Sequence, residues 1–338
     1  MIKGKTFEGL KTFFDKFVND DEYRNKHYNR AITHNSKLSN PFSDVALSTA
    51  IESGFFPGVA SDSRGNAIDD SLSWFRPHTH DCFIVSEIFR EDPYGLSGQT
   101  CDYMSALTRY KFENDSAAPD RLTEVATAPG ADLGLAFQNE LTIVDIGAHI
   151  GSYSMLASIK FPDAKVYSFE AFADNYQLLD INTSRFDNIT ATNAIIRGDR
   201  MPSEFSFCQK SHGTNTGGIQ VAWADSEAAQ NSSLPSLTLG EIFEKNNIST
   251  IDILKMDCEG SEYAILELAK KENLLERVNC ITMELHVSPE KDRHFHDIFK
   301  YLDSFRNIWV TKIQKGKESR MIYAYRDVEL FDRMRKPF

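Results

Sequence analysis

Two stretches of this sequence combine acidic side chains with glycines. In the first, Asp145 precedes Gly147-Ala-His-Ile-Gly151. In the second, the tract Asp257-Cys-Glu-Gly-Ser-Glu262 follows the apolar run Ile251 to Met256. Glycine lets a backbone approach a ligand closely, whereas carboxylates accept hydrogen bonds and protons. These residue types predict a ligand-binding turn in the first stretch and an acid–base site in the second.

The first stretch lies within a strand–turn–helix–strand pattern between residues 141 and 170. An apolar, β-branched run around Ile143 predicts a buried strand, and the helix after Gly151 closes at Phe161-Pro162. A second β-branched run then ends on Glu170. This alternation predicts half of a nucleotide-binding α/β sheet, in which the terminal acid accepts the two ribose hydroxyls.

The spacing of the glycines indicates which nucleotide would fit. A dinucleotide fingerprint needs G-x-G-x-x-G, and here His149 stands where the middle glycine would be. A pyrophosphate therefore fits poorly, which disfavours an NAD-dependent oxidoreductase. Asp145, before the first glycine, suits a cationic ligand such as S-adenosylmethionine and could hold its amino group directly or through water.

The remaining chain continues the alternation. A third strand is predicted over Ile189–Ile196, a fourth over Ile251–Met256 and a fifth over Val278–Leu285. A hairpin is predicted near residues 204–223, and its glycine-rich loop, 211–218, is either an ordinary mobile loop or a substrate lid. A C-terminal hairpin requires one strand to run antiparallel to an otherwise parallel sheet.

Residues 1–82 are predicted to form an N-terminal extension to a domain of residues 83–338. The apolar stripe of Phe7, Leu10, Phe14 and Phe17 predicts a helix packed on the main domain or on a partner chain, which makes a homo-oligomer possible. Residues 33–73 are rich in Ser, Asn, Asp and Gly and predict loops. The pair His78 and His80 is interpreted as a surface loop rather than a metal site.

Composition narrows the function classes. The 338 residues carry a net charge of −12, which disfavours a protein that reads a nucleic acid duplex. No apolar run approaches the roughly 20 residues that a spanning helix needs, and the N-terminus lacks a signal-peptide core. Five cysteines without a close pair argue against a disulfide framework, so we expect a cytoplasmic protein.

Four stretches of the chain resemble the FkbM-type S-adenosylmethionine-dependent methyltransferases. They are VDIGAHIGSYS (144–154), VYSFEAFADNYQLL (166–179), LTLGEIF (237–243) and IDILKMDCEGSEYAIL (251–266). The resemblance implies a Rossmann-like seven-stranded sheet with an antiparallel last strand, and methyl transfer to a hydroxyl oxygen of a sugar or small natural product. The predicted cofactor-binding residues are Asp145, Gly147, Ala148, His149, Gly151, Ser152, Glu170, Ala171, Asn193 and Asp257.

The acidic tract is predicted to carry the catalysis. Asp257 and Glu259 follow the fourth strand, and His286 ends the fifth, so all three are expected beside the transferred methyl group. Asp257 or His286 could take the proton of a hydroxyl acceptor, while Glu262 is interpreted as a helix cap. No metal is assigned, although a divalent ion on Asp257, Glu259 and a third oxygen remains an alternative.

Two other functions stay open from the sequence. The first is a catalytically silent binding or scaffold protein on the same fold, and the second is methylation of a protein or peptide. Methylation of an amine on a DNA base is disfavoured, because such enzymes commonly place Asn or Asp, two prolines and an aromatic residue where this chain has Asp257-Cys258-Glu259-Gly260.

Overall fold

The structure is a computed structural model that describes residues 7–60, 67–96, 100, 103–104, 141–198, 205–209, 219–223, 234–286, 295–311 and 319–326. The α-helices of these ranges are, in chain order, α1 (Phe7–Asn19), α2 (Asp21–Asn35), α3 (Asp44–Glu52), α4 (Asp81–Glu91), α5 (Ser152–Lys160), α6 (Ala173–Thr183), α7 (Leu239–Lys245), α8 (Glu262–Lys271) and α9 (Ile298–Tyr301). The predicted lid, residues 211–218, lies outside the described residues.

The strands are numbered in the same way. They are β1 (Phe56–Gly58), β2 (Ser73–Phe75), β3 (Thr142–Ile146), β4 (Lys165–Glu170), β5 (Ile189–Asn193), β6 (Ile195–Ile196), β7 (Phe205–Gln209), β8 (Ile219–Trp223), β9 (Ser236–Leu237), β10 (Ile251–Met256), β11 (Val278–His286), β12 (Asn307–Val310) and β13 (Ser319–Tyr325).

A seven-stranded sheet organises the domain, with strand order β12-β13-β11-β10-β3-β4-β5. The strands β10, β11, β3, β4 and β5 pair in parallel, whereas β13 is antiparallel to both β11 and β12. The predicted Rossmann-like sheet with an antiparallel last strand is therefore confirmed. After β5 the chain returns to the other side of β3, so β3 and β10 flank the topological switch point where such sheets bind ligands.

Both faces of the sheet are buried, and its central strands are therefore nearly continuous hydrophobic runs. Ile143 and Ile253 face one core, which also contains residues of α1, α5 and α6. Their neighbours Val144 and Leu254 face a second core with residues of α7 and α8. Because side chains alternate along a strand, a parallel sheet covered on both faces needs apolar residues at successive positions.

The N-terminal segment supplies part of the first core. The stripe residues Leu10, Phe14 and Phe17 are each 1% exposed and contribute to that core. These three residues therefore pack within their own chain, and the possible homo-oligomer stays a prediction. The assignment of residues 1–82 as a separate extension stays a prediction.

The prediction of loops over residues 33–73 was wrong in part, because α3 and the short strand β1 form there. The polar residues that suggested loops include the helix cap, since the side chain of Ser43 accepts a hydrogen bond from the amide of Ala46. Ala46, Leu47 and Ala50 then bury one face of α3. Tertiary burial thus outweighed the local polar composition.

Buried polar contacts attach the N-terminal segment to the sheet domain. The side chain of Asn182, in α6, accepts from the Trp74 amide at 2.7 Å and donates to the carbonyl oxygens of Trp74 at 3.0 Å and Ile150 at 2.9 Å. The Arg76 guanidinium donates to Asn175 at 2.7 Å. Asn182 thus connects β2 to the loop that precedes α5.

The remaining elements follow the predicted alternation with small changes. The third strand is split, because Ala194 interrupts it and Ile195–Ile196 pairs instead with β9. The predicted hairpin is present as β7 and β8, which pair antiparallel. None of the helices in the described ranges combines the length and the apolarity that a membrane crossing needs.

Candidate active site

The loop Gly147–Gly151 joins β3 to α5 at the carboxyl edge of the sheet. The amides of Gly147 and Ala148 both donate to the carbonyl oxygen of Phe169 at 3.0 Å, which holds the loop beside the end of β4. Gly147 has φ +76°, and a Cβ atom there would lie 1.8 Å from the Asp257 carbonyl oxygen. Glycine is therefore required because the loop packs against the end of β10.

The second glycine also has a packing reason. Gly151 has φ +89°, and a Cβ atom would lie 2.9 Å from Leu179 Cδ1 and 3.0 Å from Thr183 Cγ2 in α6. The sequence suggested a close approach to a ligand, whereas the structure shows a close approach of this turn to a neighbouring helix. Ser152 follows as the first residue of α5 and is 3% exposed.

Glu170 ends β4 and receives hydrogen bonds on both carboxylate oxygens. Oε2 accepts from the His149 amide at 2.9 Å, and Oε1 accepts from the Phe172 amide at 2.8 Å. Burial raises the pKa of Glu170 to about 7, although these hydrogen bonds oppose that rise. Oε1 also accepts from the Asn175 side chain at 3.5 Å, whereas Oε2 retains a second lone pair and can still accept a ribose hydroxyl.

Two further predicted cofactor residues adjoin Glu170. Asn193 ends β5, and its side-chain amide donates to the carbonyl oxygens of Glu170 at 2.8 Å and Ala171 at 3.2 Å. Asn193 thus supports the backbone at the end of β4. Its proposed proximity to an adenine ring stays a prediction.

Asp145 is completely buried and already has a cationic partner. Its Oδ1 lies 3.0 Å from Lys255 Nζ, and its Oδ2 accepts from Ser154 Oγ at 2.6 Å. Lys255 also donates to the Gly147 carbonyl oxygen at 2.7 Å. The expectation that Asp145 directly holds an amino group does not match this arrangement, because the carboxylate faces a neighbouring strand of the sheet.

His149 lies at φ +52° between the two glycines, and its ring faces the N-terminal segment. Nε2 is 3.6 Å from Asp81 Oδ1, and Asp81 in turn accepts from Arg76 Nε at 2.9 Å. Burial lowers the pKa of His149 to about 4, although the charge of Asp81 opposes that change. A neutral imidazole is therefore packed against a buried ion pair.

The three predicted catalytic residues meet at the ends of β10 and β11. His286 Nε2 lies 3.6 Å from Glu259 Oε1 and 4.0 Å from Asp257 Oδ1. The Asp257 amide donates to the Ile146 carbonyl oxygen at 3.0 Å, so this cluster directly adjoins the loop that begins at Gly147. The structure thus brings Asp257, Glu259 and His286 together at the switch point.

Glu262 contributes more than a helix cap. Its Oε1 accepts from the Cys258 amide at 3.1 Å and lies 3.0 Å from His286 Nδ1. Burial alone would lower the pKa of His286, but the hydrogen bond to Glu262 and the charges of Glu262, Asp257 and Glu259 raise it to about 10. An imidazole with this pKa keeps its proton at neutral pH, which favours a carboxylate as the proton acceptor.

Sequence reasoning missed Tyr94 as a residue of the site. Its hydroxyl donates to Asp257 Oδ2 at 2.8 Å, although 163 positions separate the two residues. Burial raises the pKa of Tyr94 well above its usual value, so the phenol keeps its proton and acts as a donor. The local sequence Asp92-Pro-Tyr-Gly95 is typical of a turn and gives no signal of a role in the site.

Comparison with known proteins finds a family model that matches part of the chain. Residues 145–308 match the model of the methyltransferase FkbM domain. No curated protein sequence matches the chain.

Several solved structures resemble part of this chain. Precorrin-6y C5,15-methyltransferase from Geobacter metallireducens GS-15 is 12% identical, with 63% of this chain and 90% of that one covered and a TM-score of 0.34. TrmK from M. capricolum, in complex with S-adenosyl-homocysteine, is 14% identical, with 61% and 68% covered and a TM-score of 0.32. Fibrillarin from Aeropyrum pernix is 13% identical, with 55% and 67% covered and a TM-score of 0.33.

The family model and the resemblance found in the sequence cover the same strands and turns. The matched range begins at Asp145 and includes both the glycine loop and the acidic tract. Residues 145–308 therefore form a methyltransferase FkbM domain.

Proposed function

We propose that this domain transfers a methyl group from S-adenosylmethionine to a hydroxyl oxygen of a sugar or small natural-product acceptor. The cofactor follows from the FkbM methyltransferase domain. The proposal for the acceptor rests on one observation, the position of Asp257, Glu259 and His286 beside the Gly147 loop. A hydroxyl acceptor must lose a proton as it is methylated, and the carboxylates of this cluster are suited to accept it.

The residues around the loop suit the adenosine part of the cofactor. Glu170 retains acceptor capacity for the ribose hydroxyls, and Asn193 holds the end of β4 in place next to it. His149 fills the position where a pyrophosphate site needs a glycine, which supports a ligand without phosphates.

The acidic cluster would align and deprotonate the acceptor. When bound, the cofactor supplies an electrophilic methyl group that an oxygen displaces in line. Oδ2 of Asp257 accepts a hydrogen bond from the Tyr94 hydroxyl, and this contact orients Oδ1 toward His286. We assign Asp257 Oδ1 as the acceptor of the hydroxyl proton. Glu259 lies 3.6 Å from the His286 imidazole and adds a second negative charge beside it.

Calorimetry and mass spectrometry test this proposal in two steps. Titration with S-adenosylhomocysteine should show one binding site on the full chain. Incubation with methyl-deuterated S-adenosylmethionine and a panel of sugars, polyhydroxylated natural products and peptides should then label hydroxyl compounds. No binding of either cofactor form would reject the enzyme, and label on peptides alone would reject the proposed acceptor class.

The variant Asp257→Asn tests the assigned proton acceptor. Loss of a general base should reduce kcat about 10²- to 10⁴-fold while the Kd for S-adenosylhomocysteine changes little. Glu267→Gln, on an exposed face of α8, is the matched control and should retain full turnover. Full turnover by Asp257→Asn would instead indicate that alignment alone drives the reaction.

A further inference from the structure

We propose that Asp257, Glu259 and His286 form a binding site for a divalent transition-metal cation. One atom from each side chain, two carboxylate oxygens and an imidazole nitrogen, lies within 4.8 Å of the others. Ligand atoms at about 2.1 Å from one ion lie roughly 3 to 4 Å apart. Closing the cluster around an ion therefore needs only small side-chain rotations. Within the described part of the chain, this is the one group of three such residues.

Both ends of the cluster have outer partners that orient the ligand atoms. Glu262 Oε1 lies 3.0 Å from His286 Nδ1, so the other ring nitrogen, Nε2, points toward Asp257 and Glu259. The Tyr94 hydroxyl holds Asp257 Oδ2 and leaves Oδ1 facing His286. A carboxylate behind a ligating histidine and a hydrogen bond behind a ligating carboxylate are typical of metal sites.

The charge of the cluster favours a cation. Asp257, Glu259 and Glu262 place three carboxylates around a single imidazole. Glu262 is completely buried, and its Oε2 has no hydrogen-bond partner among the described residues. Lys255, the cation on the neighbouring side, lies 3.0 Å from Asp145. A divalent ion among these carboxylates would act as their counter-charge, and it would release the proton that His286 otherwise keeps, because a ligating imidazole is neutral.

The site is also accessible from solvent. The side chains of Asp257, Glu259 and His286 remain 30%, 18% and 16% exposed. An ion can therefore enter, and positions on its open side remain for water or an acceptor oxygen. Helix capping by acidic residues would not explain His286, which comes from β11 rather than from the tract before α8.

The ligand set indicates the class of ion. Ca²⁺ prefers sites made entirely of oxygen, whereas imidazole nitrogen suits transition metals and carboxylates suit Mn²⁺. One nitrogen and two oxygens therefore point to a Mn²⁺-type ion. Only its role rests on the proposed function: the ion would bind the acceptor hydroxyl and lower its pKa, which is the usual contribution of a metal to oxygen nucleophiles. With the ion bound, Asp257 Oδ1 would hold the ion, and the hydroxyl proton would pass to water on the open side of the site.

Metal binding can be measured without any methyl acceptor. The full chain, treated with EDTA and dialysed, is titrated with MnCl₂ by calorimetry and by the loss of the free Mn²⁺ signal in electron paramagnetic resonance. One saturable site is expected. Glu259→Gln should weaken binding at least tenfold, and Glu262→Gln should weaken it about 10- to 100-fold by releasing the His286 ring. Glu267→Gln, an equal charge change on the exposed face of α8, should leave the affinity unchanged.

The outcomes separate this site from the proposed methyl transfer. No Mn²⁺ binding by a chain that still binds S-adenosylhomocysteine would overturn the metal site and leave the transferase intact. Mn²⁺ binding that Glu259→Gln does not weaken would also overturn it. Mn²⁺ binding that depends on Glu259, without label transfer to any hydroxyl compound, would support the metal site and count against the acceptor class alone. Thermal melting of each variant checks that the fold is retained.

Discussion

The amide of His149 donates to Glu170 Oε2 at 2.9 Å and thereby joins the glycine loop to the end of β4. Both residues are predicted to contact the cofactor, and this hydrogen bond fixes the distance between them. The contact depends on a left-handed backbone at His149, φ +52°, which turns its amide toward the carboxylate. The protonation state of Glu170 should therefore affect both the position of the glycine loop and the binding of the ribose.

Cofactor affinity should depend on pH near neutrality. Burial raises the pKa of Glu170 to about 7, so the carboxyl group is mostly neutral below that pH in the free protein. A carboxylate that accepts ribose hydroxyls is favoured in its ionised form, so binding must first remove the proton. The affinity for S-adenosylhomocysteine should rise about tenfold per pH unit as the pH approaches 7 from below, and then level off. Calorimetry from pH 5.5 to 8.5 measures this slope.

A matched variant isolates the Glu170 contribution. Glu170→Gln cannot ionise, so its affinity should be lower at pH 8 and should lose the slope below pH 7. The net cost of the lost charged hydrogen bonds should be about 1.5 to 3 kcal/mol. A slope that persists in Glu170→Gln would assign the titration to another group.

Removing the Tyr94 hydroxyl should impair turnover more than cofactor binding. Tyr94→Phe deletes the hydrogen bond to Asp257 Oδ2 and lets that carboxylate rotate. We expect a fall in kcat of about tenfold or more, an unchanged Kd for S-adenosylhomocysteine and a stability loss of about 1 kcal/mol. Tyr176→Phe, on α6, is the control. Equal losses in kcat and in cofactor affinity would show that Tyr94 acts only through the fold.

Gly147→Ala should be far more damaging than a comparable change elsewhere. A Cβ atom at Gly147 would lie 1.8 Å from the Asp257 carbonyl oxygen, so the loop and the end of β10 must separate. Gly54 has a similar φ of +70°, but a Cβ atom there meets nothing within 4 Å. Gly54→Ala should therefore cost only the backbone strain, about 1 to 2 kcal/mol. Urea unfolding and S-adenosylhomocysteine titration distinguish the two variants, and equal effects would contradict the packing argument.

The Arg76–Asp81 pair should stabilise the contact between the N-terminal segment and the glycine loop. Asp81 is completely buried and accepts a hydrogen bond from Arg76 Nε at 2.9 Å. Asp81→Asn should cost about 3 to 5 kcal/mol, because it leaves a mostly buried guanidinium without its counter-charge. Glu91→Gln breaks the exposed pair with Arg90 and should cost less than about 1 kcal/mol. Chemical denaturation measures both, and similar costs would show that the buried pair contributes little.

Local patterns predicted most of the central sheet because each strand carries its own signal. The runs that became β3, β4, β10 and β11 were predicted to within about two residues, and the C-terminal hairpin predicted the antiparallel strand. The N-terminal segment was predicted less well. α2 and α3 contain many polar residues, and their packing against the first core stabilises helices that their apolar pattern does not predict.

The sequence alone determined the family, the glycine loop and the acidic tract, since residue type and spacing within a few positions define those features. Only the tertiary structure decided which distant residues complete the site. The return of the chain from β5 to β10 places Asp257 beside Gly147, and the parallel pairing of β10 with β11 places His286 beside Glu259. Tyr94 and Glu262 joined these residues for the same reason, because contacts between elements depend on how the chain packs and not on neighbouring residues.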